Sequence, residues 1–252
     1  ATLQPFDLRC EYLSNPLGID IQQPRLSWKM GATVPARGRR QTAYQILVAS
    51  SRELLDADRG DLWDSGRVNS AESVNIVYEG VPLSAGKRCF WKVRFSDEHN
   101  HWSAWSTTAN WRMGLFAADW SARWIGSAEM ESQSVGGKKV NNVMADPWFR
   151  KTFELSEISQ DAIIYVASIG YHELYVNGRK VGDAVLSPSV TDHKSRARYM
   201  TYDIRNYLKK GTNVIALWLG TSWAVFPAYQ QKDRPAIPMA LAQAEITLSS
   251  GK

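Results

Sequence analysis

The 252-residue chain predicts an all-β fold of two β-sandwich domains, residues 1–118 and 119–252. Three observations carry this expectation. Short runs that alternate apolar with polar residues recur along the whole length, cut by Pro, Gly and Asn turns. Helical spacing is confined to residues 52–60, which read as one or two turns. The first series of runs stops at Met113 and a fresh one opens at Trp124, after the connector-like Phe116-Ala-Ala-Asp-Trp-Ser-Ala-Arg123.

In the first domain, strands are expected at 6–12, 25–30, 42–50, 73–79, 88–97 and 107–113. About seven short strands in such a length suit a fibronectin type III or immunoglobulin sandwich. Trp28 and Trp91 are its expected core anchors. Cys89 alternates with Trp91, Val93 and Phe95 and so faces the core. Cys10 and Cys89 match no metal-ligand spacing, and two readings stay open: free buried thiols, or a disulfide between them. On the opposite face of 88–97 lie Arg88, Lys92 and Arg94. Trp102-Ser-Ala-Trp-Ser106 is similar to the Trp-Ser-X-Trp-Ser box of cytokine receptors, where tryptophan rings interleave with arginines. A cation–π ladder of Trp102 and Trp105 on those cations is expected, each contact giving about 0.5–1 kcal/mol. A receptor's cysteine framework is missing, so the box reads as a folding element.

Residues 127–147 are polar and contain glycines, and read as a long loop. Trp148-Phe-Arg-Lys-Thr-Phe153 opens the second domain. The strongest signal is the run 163–220. There a buried strand leads to Tyr171-His-Glu-Leu-Tyr-Val-Asn-Gly178, and Asn177-Gly178 demands a type I′ hairpin because both turn residues need φ > 0. That turn sets Val176 opposite Arg179 and Leu174 opposite Val181. It places Leu174 and Val181 on the core face, with Tyr175 and Lys180 on the other. Tyr202–Gly211 reads as a short turn closed by glycine, leading into Asn213-Val-Ile-Ala-Leu-Trp-Leu-Gly220, a strand apolar on both faces. The chain closes on the strand Ala242–Leu248 and a turn-like Ser249-Ser-Gly-Lys252, which suggests a piece of a longer protein. It begins at Ala1 with no signal peptide; removal of a leader would make the protein periplasmic or secreted.

Composition narrows the function. Lys plus Arg is 30 against 25 acids, a net charge of +5 with no basic stripe, which speaks against nucleic acid. No apolar run reaches the roughly 18 residues of a membrane span. Eleven Trp against seven Phe is the balance of many β-proteins that work on sugars, although most of these rings are expected in the core.

Taken in order, these motifs resemble the N-terminal region of bacterial α-L-rhamnosidases. The first-domain cues are Leu8-Arg-Cys-Glu-Tyr, Asn15-Pro-Leu-Gly-Ile, Pro24-Arg-Leu-Ser-Trp, Gln41-Thr-Ala-Tyr-Gln-Ile-Leu-Val-Ala, Trp63-Asp-Ser-Gly-Arg and Trp91-Lys-Val-Arg. The second-domain cues are Trp124-Ile-Gly, Phe149-Arg-Lys-Thr-Phe, Gly170-Tyr-His-Glu-Leu-Tyr-Val-Asn-Gly and Thr201-Tyr-Asp-Ile. The resemblance implies a fibronectin-like domain followed by a jelly-roll, galactose-binding-like module, both non-catalytic. It implies a downstream (α/α)₆ barrel holding the acid and base of an inverting glycosidase, a pair that needs roughly 6.5–9.5 Å for its water. No catalytic residue is therefore expected here, and Glu131, Asp146 and Asp192 read as loop carboxylates. Related modules bind rhamnose, some through calcium. By that resemblance the carbohydrate-binding candidates are Glu173, Asn177, Asp192 and Trp223, with calcium as a conceivable cofactor. Asn177 has a competing reading as a turn residue only. Where the family often has Pro-Gly-Trp-Thr-Asp-Tyr and Gly-Asn-Gly-Trp-Tyr, this chain has Pro188-Ser-Val-Thr-Asp-His193 and Gly220-Thr-Ser-Trp-Ala224, so two aromatic platforms are lost. The accessory region of another, β-galactosidase-like glycoside hydrolase, or a stand-alone carbohydrate-binding or adhesion module, stay open as alternatives.

Overall fold

The computed structural model describes residues 3–32, 38–127, 131–135, 138–143, 146–193, 195–222 and 238–251. It divides into two units, Ala1–Asp119 and Trp120–Lys252.

The first unit contains β1 (Leu3–Cys10), β2 (Arg25–Ala32), β3 (Ala43–Ala49), α1 (Arg52–Asp56), β4 (Trp63–Asp64), β5 (Ile76–Val77), β6 (Arg88–Ser96) and β7 (Ala109–Arg112). Helix α1 starts at Ser51, whose hydroxyl accepts from the Leu54 amide at 3.3 Å. Antiparallel sheets β1-β2-β5 and β4-β3-β6-β7 share one core, in which Trp28, Trp91 and Trp111 are almost wholly enclosed. A buried indole N–H needs an acceptor, and Trp28 donates to Gln41 at 3.1 Å. Cys89 and Cys10 line this core as free thiols, so the disulfide reading falls. Burial pushes both thiols up, Cys89 to about 12, which leaves them without nucleophilic character.

The outer face of β6 carries the ladder. Arg94 lies 4.7 Å from the Trp102 ring centroid and 4.6 Å from that of Trp105; Lys92 adds 5.0 Å to Trp105 and Arg67 5.3 Å to Trp102. The two serines of the box finish the edge. Ser103 and Ser106 hydroxyls each accept from a β6 amide, of Phe95 and Val93, at 3.1 Å. Arg88 is not part of the ladder and stands over Phe90 instead, at 4.9 Å. Lys92 is nearly buried, and its ammonium is satisfied by the Leu55 carbonyl at 2.6 Å and by Asp58. Trp105→Ala removes two cation–π contacts and packing against Leu47, Ala49 and Leu55. It should destabilise the first unit by about 2 kcal/mol, read as a lower melting temperature, with sugar affinity untouched.

The second unit contains β8 (Ile125–Gly126), β9 (Glu131–Val135), β10 (Lys138–Val143), β11 (Trp148–Leu155), β12 (Ser159–Ile169), β13 (Tyr171–Val176), β14 (Arg179–Lys180), β15 (Tyr199–Asp203), β16 (Gly211–Gly220) and β17 (Met239–Leu248). Two antiparallel sheets, β11-β16-β13-β14 and β15-β12-β17-β8, enclose a core of Ala162, Ile164, Val166, Leu174, Val176, Leu217 and Leu219. Residues 127–147 are not the long loop expected. β9 and β10 form an antiparallel hairpin with Val135 opposite Lys138. Its strands are mostly polar, with only Val135, Val140 and Val143 apolar, so periodicity gave no sign of them; the Gly136-Gly137 dipeptide was the available signal.

Candidate carbohydrate site

β12 and β13 are consecutive but belong to opposite sheets. The chain changes sheet at Gly170, whose φ of +102° suits glycine and where a Cβ would lie 2.5 Å from the Gly220 carbonyl oxygen. Beyond it β13 alternates strictly. His172, Leu174 and Val176 point inward; Tyr171, Glu173 and Tyr175 point out. Asn177 (φ +51°) and Gly178 (φ +79°) make the turn, and Tyr175 pairs with Lys180 and Val176 with Arg179.

Asn177 spends its whole amide on the fold. Its oxygen accepts from the Val214 amide at 2.9 Å, and its nitrogen donates to the Tyr207 carbonyl and to Asn213 Oδ1, each at 2.9 Å. Asn213, wholly buried, holds the other side: its nitrogen donates to the Lys209 and Gly211 carbonyls at 2.6 and 2.8 Å, and its oxygen also accepts from the Lys209 amide. These two amides pin the hairpin turn to the short 3₁₀ turn at Arg205–Tyr207.

Glu173 is on the outer face, ion-paired with Lys180 and accepting from the Tyr175 hydroxyl at 2.6 Å. Lys180 first, then Tyr175, holds its carboxyl below the usual range. Asp192 sits apart in an exposed turn, where its carbonyl accepts from the Ser195 and Arg196 amides at 2.9 and 3.0 Å. Trp223 lies outside the described residues. Among the described residues no three His, Cys, Asp or Glu side chains group as a metal site would.

What the sequence reading missed stands beside Glu173. β16 was expected to be apolar on both faces, and it is, but its outer face is open. Trp218 there is 39% exposed, and Trp148 opposite it on edge strand β11 is 57% exposed. Their rings stack with centroids 4.8 Å apart and planes 14° from parallel. Tyr175 reaches within 5.6 Å of Trp148, across the small Ala216 that faces it in the ladder. On its other side Trp218 faces Glu173. A cleft of about 190 Å³ adjoins Trp218, lined also by Asp146, Tyr171, His172, Glu173 and Leu186 among others. His172 at its floor is a buried neutral imidazole, pushed down to about 4 by burial. Ser168 lies 2.8 Å from its Nδ1 and the Tyr202 hydroxyl 3.0 Å from its Nε2. Ser168 has the Gly170 carbonyl oxygen at 2.9 Å for its own proton, so Nδ1 carries the hydrogen and Nε2 accepts from Tyr202.

Two family models fit the chain in sequence. Residues 5–117 match the Rha78A-like, N-terminal immunoglobulin domain, and residues 157–252 match the alpha-L-rhamnosidase N-terminal domain. The chain belongs to the N-terminal region of the α-L-rhamnosidase family. A curated α-L-rhamnosidase of Formosa agariphila is 34% identical over 247 residues, which are 96% of this chain and 26% of that one. Among solved structures, an α-L-rhamnosidase from Dictyoglumus thermophilum superposes with a TM-score of 0.87 at 35% identity, over 98% of this chain and 28% of that one. One from Aspergillus terreus gives 0.77 at 25% identity, over 99% and 28%. The chain thus spans about a quarter of the length of the α-L-rhamnosidases it matches.

Proposed function

We propose that this chain is the non-catalytic N-terminal part of an exported α-L-rhamnosidase, an enzyme that releases terminal α-L-rhamnose by inverting hydrolysis. Its partners would be the remainder of the same polypeptide and a rhamnose-containing carbohydrate. The observation that carries the reading is the ordered match of both domains to α-L-rhamnosidase N-terminal families. The electrostatics agree. A glycosidase general acid needs a raised carboxyl pKa. Among the described residues every displaced carboxyl is displaced downward, by partners such as Arg25 beside Glu11 and Lys180 beside Glu173. No membrane-crossing helix occurs among the described residues.

The test is an assay of the chain on an aryl α-L-rhamnoside. No hydrolysis above buffer is expected from the chain alone, with hydrolysis when it is expressed in one polypeptide with a family catalytic barrel. Activity of the 252-residue chain that disappears on mutating one of its own carboxylates would refute the reading.

A further inference from the structure

We propose that the first unit holds a site for a small organic cation, an alkylguanidinium or alkylammonium, in the cleft between β4 and β5. The site is independent of the function proposed above, since it stands on residues of the first unit alone.

β4 and β5 are edge strands of the two sheets of that sandwich. A cleft of about 330 Å³ lies between them, lined by Trp63 and Asp64 of β4 and by Ile76 and Val77 of β5 among others. It falls at the lower end of the roughly 300–1,000 Å³ of small-ligand pockets. Its charge is one-sided: Asp64 and Glu79 both line it, and no Lys, Arg or His does. A concave wall of one sign focuses its field on a counter-ion.

The hydrogen bonds around the cleft separate spent groups from open ones. The Ser65 hydroxyl accepts from the Ile46 amide at 2.8 Å and donates to the Gly66 carbonyl at 2.9 Å. Asn75 Oδ1 accepts from the Tyr12 hydroxyl at 2.6 Å. Asp64 Oδ1 accepts from Gln45 at 2.8 Å and from the Gly66 amide at 2.9 Å. Three acceptors stay open among the described residues: Asp64 Oδ2, the Glu79 carboxylate and the Tyr44 hydroxyl. Tyr44 is only 7% exposed, and its ring packs edge-on against Trp28 at 5.2 Å. A phenol so deeply buried with no hydrogen-bond partner is an exception to the usual pairing. Burial first, then the charge of Glu79, pushes its pKa up, which places the phenol and the carboxylate on the same cleft.

The chemistry favours an organic cation over a metal ion. Calcium takes roughly six to eight oxygens. Among the described residues no three His, Cys, Asp or Glu side chains group as a metal site would. The half-buried Trp63 offers a ring for cation–π attraction, and Val68 and Ile76 offer apolar surface for an alkyl stem. N–H donors of the ligand would meet acceptors only, the two carboxylates and the phenol lone pairs.

The experiment is titration of the whole chain with ethylguanidinium and n-butylammonium chlorides, followed by calorimetry and ligand-observed NMR. Ethylurea serves as the uncharged isostere and calcium chloride as the metal control. A dissociation constant on the order of 0.1–10 mM is expected for at least one of the two cations, with weaker binding in high salt. Glu79→Gln and Asp64→Asn should each weaken it at least fivefold; asparagine keeps the oxygen that the Gly66 amide needs. Tyr44→Phe should weaken it at least twofold. Glu154→Gln, at an exposed carboxylate of the second unit, should leave it unchanged. Glu79 is exposed, so its variant tests binding without threatening the fold, which unchanged circular dichroism would verify. N-acetylarginine amide separates the sources of such a cation. Equal binding points to an arginine side chain, exclusion to a free small amine, and either supports the site. No binding of either cation at about 50 mM overturns the proposal. So does ethylurea or calcium binding as tightly as the cations, or binding that survives both Glu79→Gln and Asp64→Asn.

Discussion

Asn213→Ala should lower the stability of the second unit by about 3–5 kcal/mol and its melting temperature by about 10–15 °C. The residue is wholly buried and its side chain makes four hydrogen bonds, accepting from Asn177 and the Lys209 amide and donating to the Lys209 and Gly211 carbonyls. Truncation leaves buried donors and acceptors without partners, and each costs about 1–3 kcal/mol, partly relieved where water can reach. Asn177→Gly isolates the other half of the pair. Glycine keeps the positive φ that the turn demands, so its loss of stability, expected at about 1–2 kcal/mol, reports the amide alone. Chemical denaturation of the isolated second unit's signal in the whole chain measures both. A loss under 1 kcal/mol for Asn213→Ala would mean that the amide pair does not hold the hairpin.

The second large effect is on pH. His172 in the folded state is held neutral, with a pKa lowered by burial to about 4 from an ordinary 6.5. A group that protonates less readily when folded stabilises the fold only while it is neutral in both states. The contribution is complete above pH 6.5, falls as protons bind the unfolded chain below that, and levels off below about pH 4 where the folded form is protonated too. Between pH 7.5 and 4.5 the loss is roughly 2–3 kcal/mol. The same window is little affected by Glu157 and Glu173, whose lowered pKa values remove stability only below the ordinary carboxylate range. His172→Gln should flatten the profile of urea midpoint against pH in that window. An unaltered slope in the variant would show that another group carries it. Protonation of the folded form, near pH 4 and below, would also oblige Nε2 to stop accepting from Tyr202, so the contact between His172 and Tyr202 should loosen only there.

Much of the architecture was legible from local patterns. Alternation along 88–97 placed Cys89, Trp91, Val93 and Phe95 inside, and the structure puts them there because a strand's side chains must fall on two opposite faces. Asn177-Gly178 dictated a hairpin and its register, since few other residue pairs tolerate two positive φ values in succession. The tryptophan–serine box announced its ladder through its resemblance to the cytokine-receptor box and the alternation of cations on 88–97, although Arg88 stands over Phe90 instead.

The site was another matter. Periodicity states which residues share a face of a strand; it does not state whether another layer covers that face. Trp218 sat in a strand expected to be apolar on both faces and Trp148 in the run expected to open the second domain, yet only the pairing of β11 with β16 makes them neighbours and leaves both rings partly exposed. The mostly polar hairpin β9–β10 escaped for the converse reason, its sequence showing no regular apolar alternation. Whether Cys10 and Cys89 were joined, and which fold partners the Asn177 amide meets, depended on distances between segments far apart in the chain. The sequence by itself determined most strands, β9 and β10 excepted, and the Asn177-Gly178 turn, because those follow from steric limits within a few residues. Tertiary structure decided which faces stay open and which polar groups are already spent, because both depend on long-range pairing that local preference does not encode.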